Sequence, residues 1–330
     1  MKPVLYMAPI QGITNCVYRN VYSRLFEGYD FAVTPFIRNC NVISIKCKVL
    51  RDIFVQRNSA TFDLIPQILS NSINDFINLS KIMFEMGYET VNWNLGCPHK
   101  KIRRKNRGAG LLSYPETIVK ILDDVITAIP NQISLKVRLG NEKNNDLFTL
   151  LPMLNDFPVK NIIIHPRTGS QMYSGETDID AFEECLSLTK HQVVYNGDIN
   201  SFETFEYLAN RFPTVNVWMI GRGGVINPFL PEQIKNLAAD TEEKTRARFI
   251  EFHDELFDSY QKELSGPAHI IAKMKEMWSY WSKTFEGGNH VLHSIARTRN
   301  LNQYLSLVGK FFNNNPKLLI YTSHGPKLKV

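Results

Sequence analysis

Cys97 is the residue of this chain whose position most directly suggests chemistry. It lies between Gly96 and Pro98 at the end of an apolar run, whereas the other cysteines look like ordinary small hydrophobic residues. A thiol with the usual pKa of about 8.5 is mostly protonated at neutral pH and can donate a proton. A nucleophile is the alternative role, but it needs a base and an oxyanion hole, and His99 is the only histidine nearby in the sequence.

The cysteine pattern also bears on disulfides and metals. The chain has five cysteines, an odd number, and no C-x-x-C pair. This pattern argues against a disulfide framework and against a zinc site, and it leaves room for a free functional thiol. We therefore expect no metal. The five residues are Cys16, Cys40, Cys47, Cys97 and Cys185.

Short apolar runs, many of them ending in polar residues, alternate with amphipathic helical patterns as far as about residue 238. The runs predict strands at residues 4–7, 31–34, 63–69, 90–94, 133–138, 161–165, 192–195 and 216–220. Eight strands alternating with helices over ~240 residues fit a (β/α)8 TIM barrel, with a doubly wound open sheet as the main alternative. In such a barrel the working residues lie at the C-terminal ends of the strands.

Seven of the eight predicted strands end in residues suited to binding or catalysis, which packing alone rarely produces. They are Pro9, Gln67, Asn94, Cys97, Lys136, Arg138, His165, Arg167, Asn196, Asp198, Gly221 and Arg222. The last two clusters, 196–198 and 221–224, are glycine-rich and suit a phosphate, because glycines let backbone N–H groups approach an anion. Residues 221–226 read GRGGVI, so the G-x-G-x-x-G pattern of a Rossmann nucleotide site is missing.

The charge distribution points to a polyanion. The whole chain carries a net charge of +6, but residues 99–107 and 287–330 each hold six Lys or Arg and no acid. Without these twelve, 26 basic residues stand against 32 acidic ones, a net charge of −6. The segregation indicates a surface for a polyanion, although two solvated loops or tails are the simpler alternative.

The C-terminal part of the chain shows a different pattern. From about residue 240 onward, apolar residues keep the three- or four-residue spacing of helices. We therefore expect a barrel domain over residues 1–238 and a helical domain over 241–330, with a boundary near 238–241. No apolar run approaches the ~20 residues needed to span a bilayer, and residues 1–9 lack the cleavage region of a signal peptide. These features predict a cytoplasmic protein without a membrane partner.

A series of motifs resembles the tRNA-dihydrouridine synthase family, in that family's order and over about residues 3–235. The motifs are MAPIQGIT (7–14), IPQIL (65–69), NLGCP (94–98), RGAGLL (107–112), SLKVRLG (134–140), IHPRTGSQMYSG (164–175), YNGDI (195–199) and MIGRGGVINPF (219–229). The resemblance implies a barrel that carries FMN, is reduced by NADPH, and saturates the C5–C6 bond of particular uridines in tRNA. The helical domain would then bind tRNA.

The resemblance also implies roles for individual residues. Cys97 would protonate C5 of the uracil ring, and Asn94 and Arg167 would bind the substrate. The implied cofactor residues are Pro9 at the flavin edge, Gln67, Lys136 and His165 around the isoalloxazine ring, and Asn196, Gly197, Asp198, Gly221 and Arg222 at the ribityl phosphate. Alternation along the strand would place one of Lys136 and Arg138 inside the barrel and one outside, and the resemblance favours Lys136 inside.

The sequence departs from the family pattern at two places, and two alternative functions stay open. Pro166 follows His165 where many members have a small residue, and the 99–107 segment is unusually basic. One alternative is an FMN barrel that reduces or oxidises a free small molecule such as dihydroorotate or a dihydropyrimidine; the acid-free helical tail argues against it. The other is a non-catalytic RNA-binding or flavin-storing barrel, against which the intact Asn94, Cys97 and Lys136 argue.

Overall fold

The computed structural model describes residues 2–38, 48–237 and 240–320. Cys40, Cys47, the centre of the predicted domain boundary and the last ten residues of the basic tail lie outside the described residues. Contacts divide the chain into two compact units. The first comprises residues 1–11, 29–198 and 212–220, and the second comprises 12–28, 199–211 and 221–330.

The first unit is built on one parallel sheet. Its strands are β1 (Val4–Met7), β2 (Phe31–Val33), β3 (Asp63–Ile65), β4 (Gln67–Ile68), β5 (Thr90–Leu95), β6 (Gln132–Gly140), β7 (Val159–Thr168), β8 (Val193–Tyr195) and β9 (Val217–Ile220). The hydrogen-bonded order is β3-β2-β1-β9-β8-β7-β6-β5-β4. Only Pro66 separates the two ends of this order, β3 and β4, so the sheet closes on itself. The predicted TIM barrel is therefore confirmed, and the open doubly wound sheet is excluded.

Most strand bounds differ from the predicted ones by one to three residues, and two of the differences have identifiable reasons. The predicted strand 63–69 is interrupted at Pro66, which has no N–H to donate to a neighbouring strand. The predicted strand 161–165 continues to Thr168 in β7, so Arg167 lies within the strand and not in a following loop. Polar side chains are tolerated there because the end of a barrel strand borders a pocket.

The barrel interior holds an apolar cluster below that pocket. Its buried members come from six strands or their immediate ends: Tyr6, Ala8, Val33, Ile65, Ile163, Val194, Val217 and Met219. Alternate residues of a strand point to one side, and the members follow that period, as the pairs Tyr6 and Ala8 or Val217 and Met219 illustrate. The cluster gives the polar strand ends a rigid support.

The helices of the described residues are the following, in chain order: α1 (Cys16–Leu25), α2 (Ile73–Glu85), α3 (Lys100–Arg103), α4 (Pro115–Ile126), α5 (Asn145–Leu154), α6 (Ile179–Leu188), α7 (Phe202–Arg211), α8 (Arg222–Ile226), α9 (Leu230–Ile234), α10 (Glu242–Glu263), α11 (Pro267–Trp281), α12 (Gly288–Ala296) and α13 (Leu301–Asn313). Short 3-10 helices cover Lys48–Ile53, Val55–Arg57 and Gly108–Leu111. The Ser72 hydroxyl accepts a hydrogen bond from the Asp75 N–H at 3.3 Å and so caps the start of α2.

The second unit contains the predicted C-terminal helical region, which is confirmed, together with α1, α7, α8 and α9. Its core is aromatic. Ten apolar residues have the predicted helical spacing; Leu264 is only half-buried, and the other nine are buried: Phe249, Phe252, Leu256, Tyr260, Ile270, Met274, Trp278, Trp281 and Phe285. The division of the chain at residues 238–241 stays a prediction. In the described part of the chain, no helix is both long enough and apolar enough to cross a membrane.

Candidate active site

A pocket opens where the strands of the first unit end. Twelve residues line it: Pro9, Gln11, Pro35, Phe36, Asn94, Gly96, Cys97, Pro98, Lys136, Arg138, His165 and Tyr173. Five of the predicted site residues are among them, namely Pro9, Asn94, Cys97, Lys136 and His165. Lys136 and Arg138 both line the pocket, so the expectation that only one of them faces inward is wrong. Residues two apart on a strand share a face.

A chain of hydrogen bonds between buried polar side chains crosses the barrel beneath this pocket. Every group donates to the next: Asn94 to Gln67 (2.7 Å), Gln67 to Asn92 (2.7 Å), Asn92 to Ser134 (2.8 Å), Ser134 to Asn161 (2.7 Å) and Asn161 to Tyr6 (3.4 Å). Six residues on five strands are therefore connected. Buried polar groups are costly unless they are paired, and here each carboxamide orientation is determined by its neighbours.

Asn94 connects this hydrogen-bonded chain to the loop that carries Cys97. Its side-chain oxygen accepts hydrogen bonds from the N–H groups of Gly96 (3.1 Å) and Cys97 (2.8 Å), while its amide nitrogen donates to Gln67. Gly108 lies against the other side of the loop. A Cβ on Gly108 would come within 2.8 Å of the Cys97 Cβ, and its φ of +55° lies in the left-handed region, so only glycine fits comfortably.

The surroundings of the Cys97 thiol favour its protonated form. Burial raises the pKa of the thiol, and the backbone N–H of His99 and the cations Arg138, Arg38 and Lys136 offset this only in part. The His99 ring does not act as a base for the thiol, because its Nδ1 accepts a hydrogen bond from the Lys101 N–H at 3.3 Å and caps α3. The thiol is therefore suited to donate a proton rather than to attack as a thiolate.

Lys136 is a partly buried cation without a counter-charge. Burial, followed by the neighbouring charge of Arg138, lowers the pKa of its ammonium to about 7. In the described part of the chain, no group accepts a hydrogen bond from its Nζ, although Nζ faces a pocket. An anionic or strongly polar ligand in that pocket would supply the missing partner.

Arg138 is held by backbone carbonyls. Its guanidinium donates to Gly96 O at 3.0 Å and to Thr168 O at 2.7 Å, and it lies 5.3 Å from the centroid of the Tyr173 ring. Burial lowers the pKa of the guanidinium to about 10, which leaves it cationic at neutral pH. Arg138 thus fixes the Cys97 loop through Gly96 and contributes a constant positive charge.

His165 is positioned by an ion pair that does not line the pocket. Arg167 is buried, donates a hydrogen bond to the ring Nε2 of His165 at 3.2 Å, and pairs with both carboxylate oxygens of Asp198. Its second terminal nitrogen also donates to Gly175 O at 2.6 Å. Because Arg167 can only donate, Nε2 of His165 must be the acceptor, and any ring proton of the neutral imidazole lies on Nδ1.

Replacing Asp198 with asparagine tests this ion pair. Asp198 has a φ of +40°, which asparagine also tolerates, so the substitution mainly removes the charge. We expect the unfolding free energy to fall by about 2 kcal/mol. This is less than the cost of removing a buried ion-pair partner altogether, because the asparagine side-chain oxygen still accepts one hydrogen bond from Arg167. Urea unfolding at pH 7 measures it, with Asp180→Asn as an exposed control. A change smaller than that of the control would contradict the structural role of the pair.

The two predicted phosphate-binding clusters lie in different units. In the first unit, Asn196 donates to Met219 O at 2.8 Å, and a Cβ on Gly197 would lie 2.7 Å from the Thr177 side chain, so glycine allows this turn to pack closely against Thr177. In the second unit, Gly221 precedes α8 and Arg222 is the first residue of that helix. The assignment of these residues to a phosphate stays a prediction.

Sequence reasoning missed Phe36 and Tyr173, which also line the pocket. Both residues follow the C-terminal end of a strand, and this position alone could have indicated that they lie near the site. Neither residue belongs to a periodic pattern. Among the described residues, no group of three or more His, Cys, Asp or Glu side chains could hold a metal ion.

Solved structures share the barrel. Histamine dehydrogenase from Rhizobium sp. 4-9 aligns with a TM-score of 0.55 and 11% identity over 71% of this chain and 45% of that one. The old yellow enzyme from Trypanosoma cruzi aligns with a TM-score of 0.52 and 11% identity over 75% of this chain and 94% of that one. At such low identity these similarities show the fold alone.

Sequence relatives identify the family. tRNA-dihydrouridine synthase B of Pasteurella multocida is 28% identical over 72% of this chain and 70% of its own length. A probable tRNA-dihydrouridine synthase of Staphylococcus epidermidis is 24% identical over 94% of both chains. The family profile described as dihydrouridine synthase (Dus) matches residues 6–311, nearly the whole chain. The chain therefore belongs to the dihydrouridine synthases, an oxidoreductase family that acts on uridines of tRNA.

Proposed function

We propose that this protein reduces the C5–C6 bond of specific uridines in tRNA, with FMN as its cofactor, NADPH as the reductant and Cys97 as the proton donor. One observation carries the proposal: the Cys97 thiol, whose pKa is raised by burial, and the Lys136 amine, which has no acidic partner among the described residues, line the same pocket. Reduction of an electron-poor double bond needs an acid on one carbon and a hydride on the other, and the pocket offers the acid.

The residues of the first unit fit the ring system of a flavin. Pro9, Lys136 and His165 line the pocket, and the Lys136 ammonium lacks an acceptor that an electron-rich ring edge would provide. Bound FMN would supply the hydride for C6 of the uracil after NADPH has reduced it. Gln67 lies in the buried hydrogen-bonded chain just below. We assign Gln67 to the flavin ring because of the motif it belongs to.

The work of Cys97 is to transfer its Sγ proton to C5 of the uracil while C6 gains a hydride, so that two hydrogens are added across the bond. The thiolate left behind is stabilised by the charges of Arg138, Arg38 and Lys136, which lower the thiol pKa. A proton from water then restores the thiol. The same cations that oppose burial therefore favour the product of the proton transfer.

Substrate binding is divided between a direct and an indirect role. Asn94 lines the pocket, and we propose that it contacts the uracil while its side chain holds the Cys97 loop. Arg167 was assigned to the substrate, but its hydrogen bonds go to Asp198, Gly175 and His165. We therefore propose that Arg167 acts on the substrate only by positioning His165.

The base must leave the folded tRNA to reach such a pocket. We propose that the segment 99–107 and the helical region 241–330 bind the tRNA backbone, because the segment 99–107 and residues 287–330 of the helical region each hold six Lys or Arg and no acid. Residues 321–330 of that region, with two of its lysines, lie outside the described residues. A cytoplasmic location, where tRNA is modified, belongs to the same proposal.

The visible spectrum of the purified protein tests the proposal first. We expect noncovalent FMN at close to one per chain, bleaching by NADPH, and faster reoxidation by tRNA than by orotate or free pyrimidines. The last comparison separates a tRNA enzyme from an FMN barrel acting on a small molecule. Colourless protein that gains no flavin spectrum when FMN is added would refute the proposal.

Arg222→Ala tests the predicted phosphate contact. We expect FMN to bind more weakly by roughly 1.5–3 kcal/mol, the usual range for a hydrogen bond to a charged group. Fluorescence titration of the flavin-free protein measures the affinity, and Lys262→Ala, which removes an exposed cation of the same unit, is the control. Equal affinity in the two variants would remove Arg222 from the cofactor site.

A further inference from the structure

A second and larger pocket lies beside the Cys97 pocket in the first unit. Its volume is about 700 Å³, and it is lined by Gln11, Phe36, Arg38, Leu69, His99, Lys101, Ile102, Arg104, Lys105 and Arg107. Gln11 and Phe36 line both pockets and form a common wall. We call this second site the basic pocket. No role has been assigned to it so far.

The charge of the basic pocket is of one sign. Five Arg or Lys side chains line it, and no acidic residue is among its described lining residues. The cations of the segment 99–107 do not all face the pocket. Lys101, Arg104 and Lys105 line it. Arg103 instead pairs with Glu142 at 3.3 Å and donates a hydrogen bond to Asn141. Lys100 lies on α3 but does not line the pocket. Three exposed cations are thus collected on one side.

The pocket is also held in shape. Arg107 Nε donates to the Asn71 side chain at 2.9 Å, and that side chain donates to Lys105 O at 3.1 Å, which ties the segment to the chain before α2. A Cβ on Gly110 would lie 2.3 Å from Arg103 O, so this glycine allows the following turn to pack closely against the segment. The cations are therefore presented by a defined backbone and not by a free loop.

Apolar and aromatic surface completes the site. The buried side chains of Leu69 and Ile102 line it, and the Phe36 ring carries the Arg38 guanidinium at 5.9 Å from its centroid. An aromatic wall next to several cations is the combination that binds a nucleotide, because the base stacks on the ring and the phosphate meets the charges. A bare phosphate would need no such wall.

We infer that the basic pocket binds a nucleotide of the RNA that is adjacent to the target uridine, with its base against Phe36 and its phosphate near Lys101, Arg104 and Lys105. The inference rests on the proposed function. A uridine that enters the Cys97 pocket remains covalently joined to its neighbours, and the shared wall of Gln11 and Phe36 places the basic pocket next to the Cys97 pocket, where a neighbouring nucleotide can reach it. Binding of this neighbour would stabilise the RNA conformation in which the target uridine is extruded.

The experiment compares two triple variants that lose the same charge. Lys101→Ala, Arg104→Ala and Lys105→Ala together remove the three exposed pocket cations of the segment 99–107, and Lys81→Ala, Lys120→Ala and Lys190→Ala together remove three exposed cations that lie outside that segment and do not line the pocket. The probe is a tRNA transcript without modifications. Its affinity is measured at several salt concentrations, beside the rate of flavin reduction by NADPH and the yield of dihydrouridine.

We expect the pocket triple variant to flatten the slope of log affinity against log salt by about 2, because each neutralised phosphate of a single strand contributes roughly 0.7. The control triple variant should change this slope by less than roughly 0.7, the contribution of one phosphate contact. Flavin reduction should be equal in both. Phe36→Leu should weaken RNA binding roughly 5- to 150-fold without changing the salt slope, since stacking and not charge is lost.

Two results would overturn the inference. Equal slopes in the two triple variants would mean that overall charge, and not this pocket, attracts RNA. Slower flavin reduction in the pocket variant with unchanged RNA affinity would make the dinucleotide phosphate of the reductant the occupant. If wild-type protein binds the transcript but forms no dihydrouridine, the proposed function fails, while the binding slopes still decide the role of the pocket.

Discussion

Replacing Cys97 with alanine is expected to lower the rate of uridine reduction by roughly 10²- to 10⁴-fold, the contribution typical of a positioned acid. FMN binding and flavin reduction by NADPH should remain near wild type, because neither needs the thiol proton. Stopped-flow absorbance follows the flavin in both half-reactions. Since the protonated thiol is the active form and burial raises its pKa, wild-type activity should hold at neutral pH and fall as the pH rises through that pKa.

Cys185→Ala is the matched control, because Cys185 is a fully buried thiol on α6 that does not line the pocket. It should retain uridine reduction even if it costs some stability. If Cys97→Ala slowed both half-reactions to the same extent in a folded protein, Cys97 would be a cofactor or structural residue, and the assigned role would be wrong.

Lys136→Met is expected to stabilise the flavin-free protein at pH 6 by roughly 3–5 kcal/mol, the value of the pKa shift at about 1.4 kcal/mol per unit. The lysine pKa falls from 10.5 to about 7 when the side chain is buried on folding. Between these values the unfolded chain binds more protons, so wild-type stability rises with pH across this window. The advantage of the variant should therefore be largest below pH 7 and shrink towards pH 10.

Urea unfolding of the two flavin-free proteins at pH 6, 8 and 10 measures this effect, with the exposed Lys120→Met as control. The same variant should bind FMN more weakly, because the ligand that would use the cation loses it. Parallel stability curves for wild type and Lys136→Met across this range would show that the ammonium already has a counter-charge and is not held in reserve for a ligand.

The barrel could be predicted from the sequence because its strands are short, apolar and separated by helices. The C-terminal end of β7 could not, since Pro166 and Arg167 resemble loop residues in the sequence. The pairing of Arg167 with Asp198 joins residues 31 positions apart and has no local signal. The neutral state of the Cys97 thiol could be anticipated from its ordinary pKa, but the cause found in the structure, burial that outweighs the nearby cations, depends on packing.

The inward orientation of both Lys136 and Arg138 follows from a rule that the sequence already contained. The two residues are two apart on one strand, and they were nevertheless assigned to opposite sides. Phe36 and Tyr173 illustrate a real limit: each lies in a segment without periodicity, so its proximity to Cys97 emerges only from the closed sheet.

The hydrogen-bonded chain from Asn94 to Tyr6 has a consequence for the order in which the protein is assembled. All of its donors run in one direction, so turning one carboxamide by 180° would break the bonds on both of its sides. The chain begins beside the Cys97 loop and ends on β1, at Tyr6. A polypeptide that extends through Cys97 but stops before β6 lacks Ser134 and Asn161, so the bonds that connect the Asn94 amide to Tyr6 are complete only when β7 is present. The proposed proton donor is therefore aligned by closure of the whole barrel, and a truncated barrel would carry the thiol without its geometry.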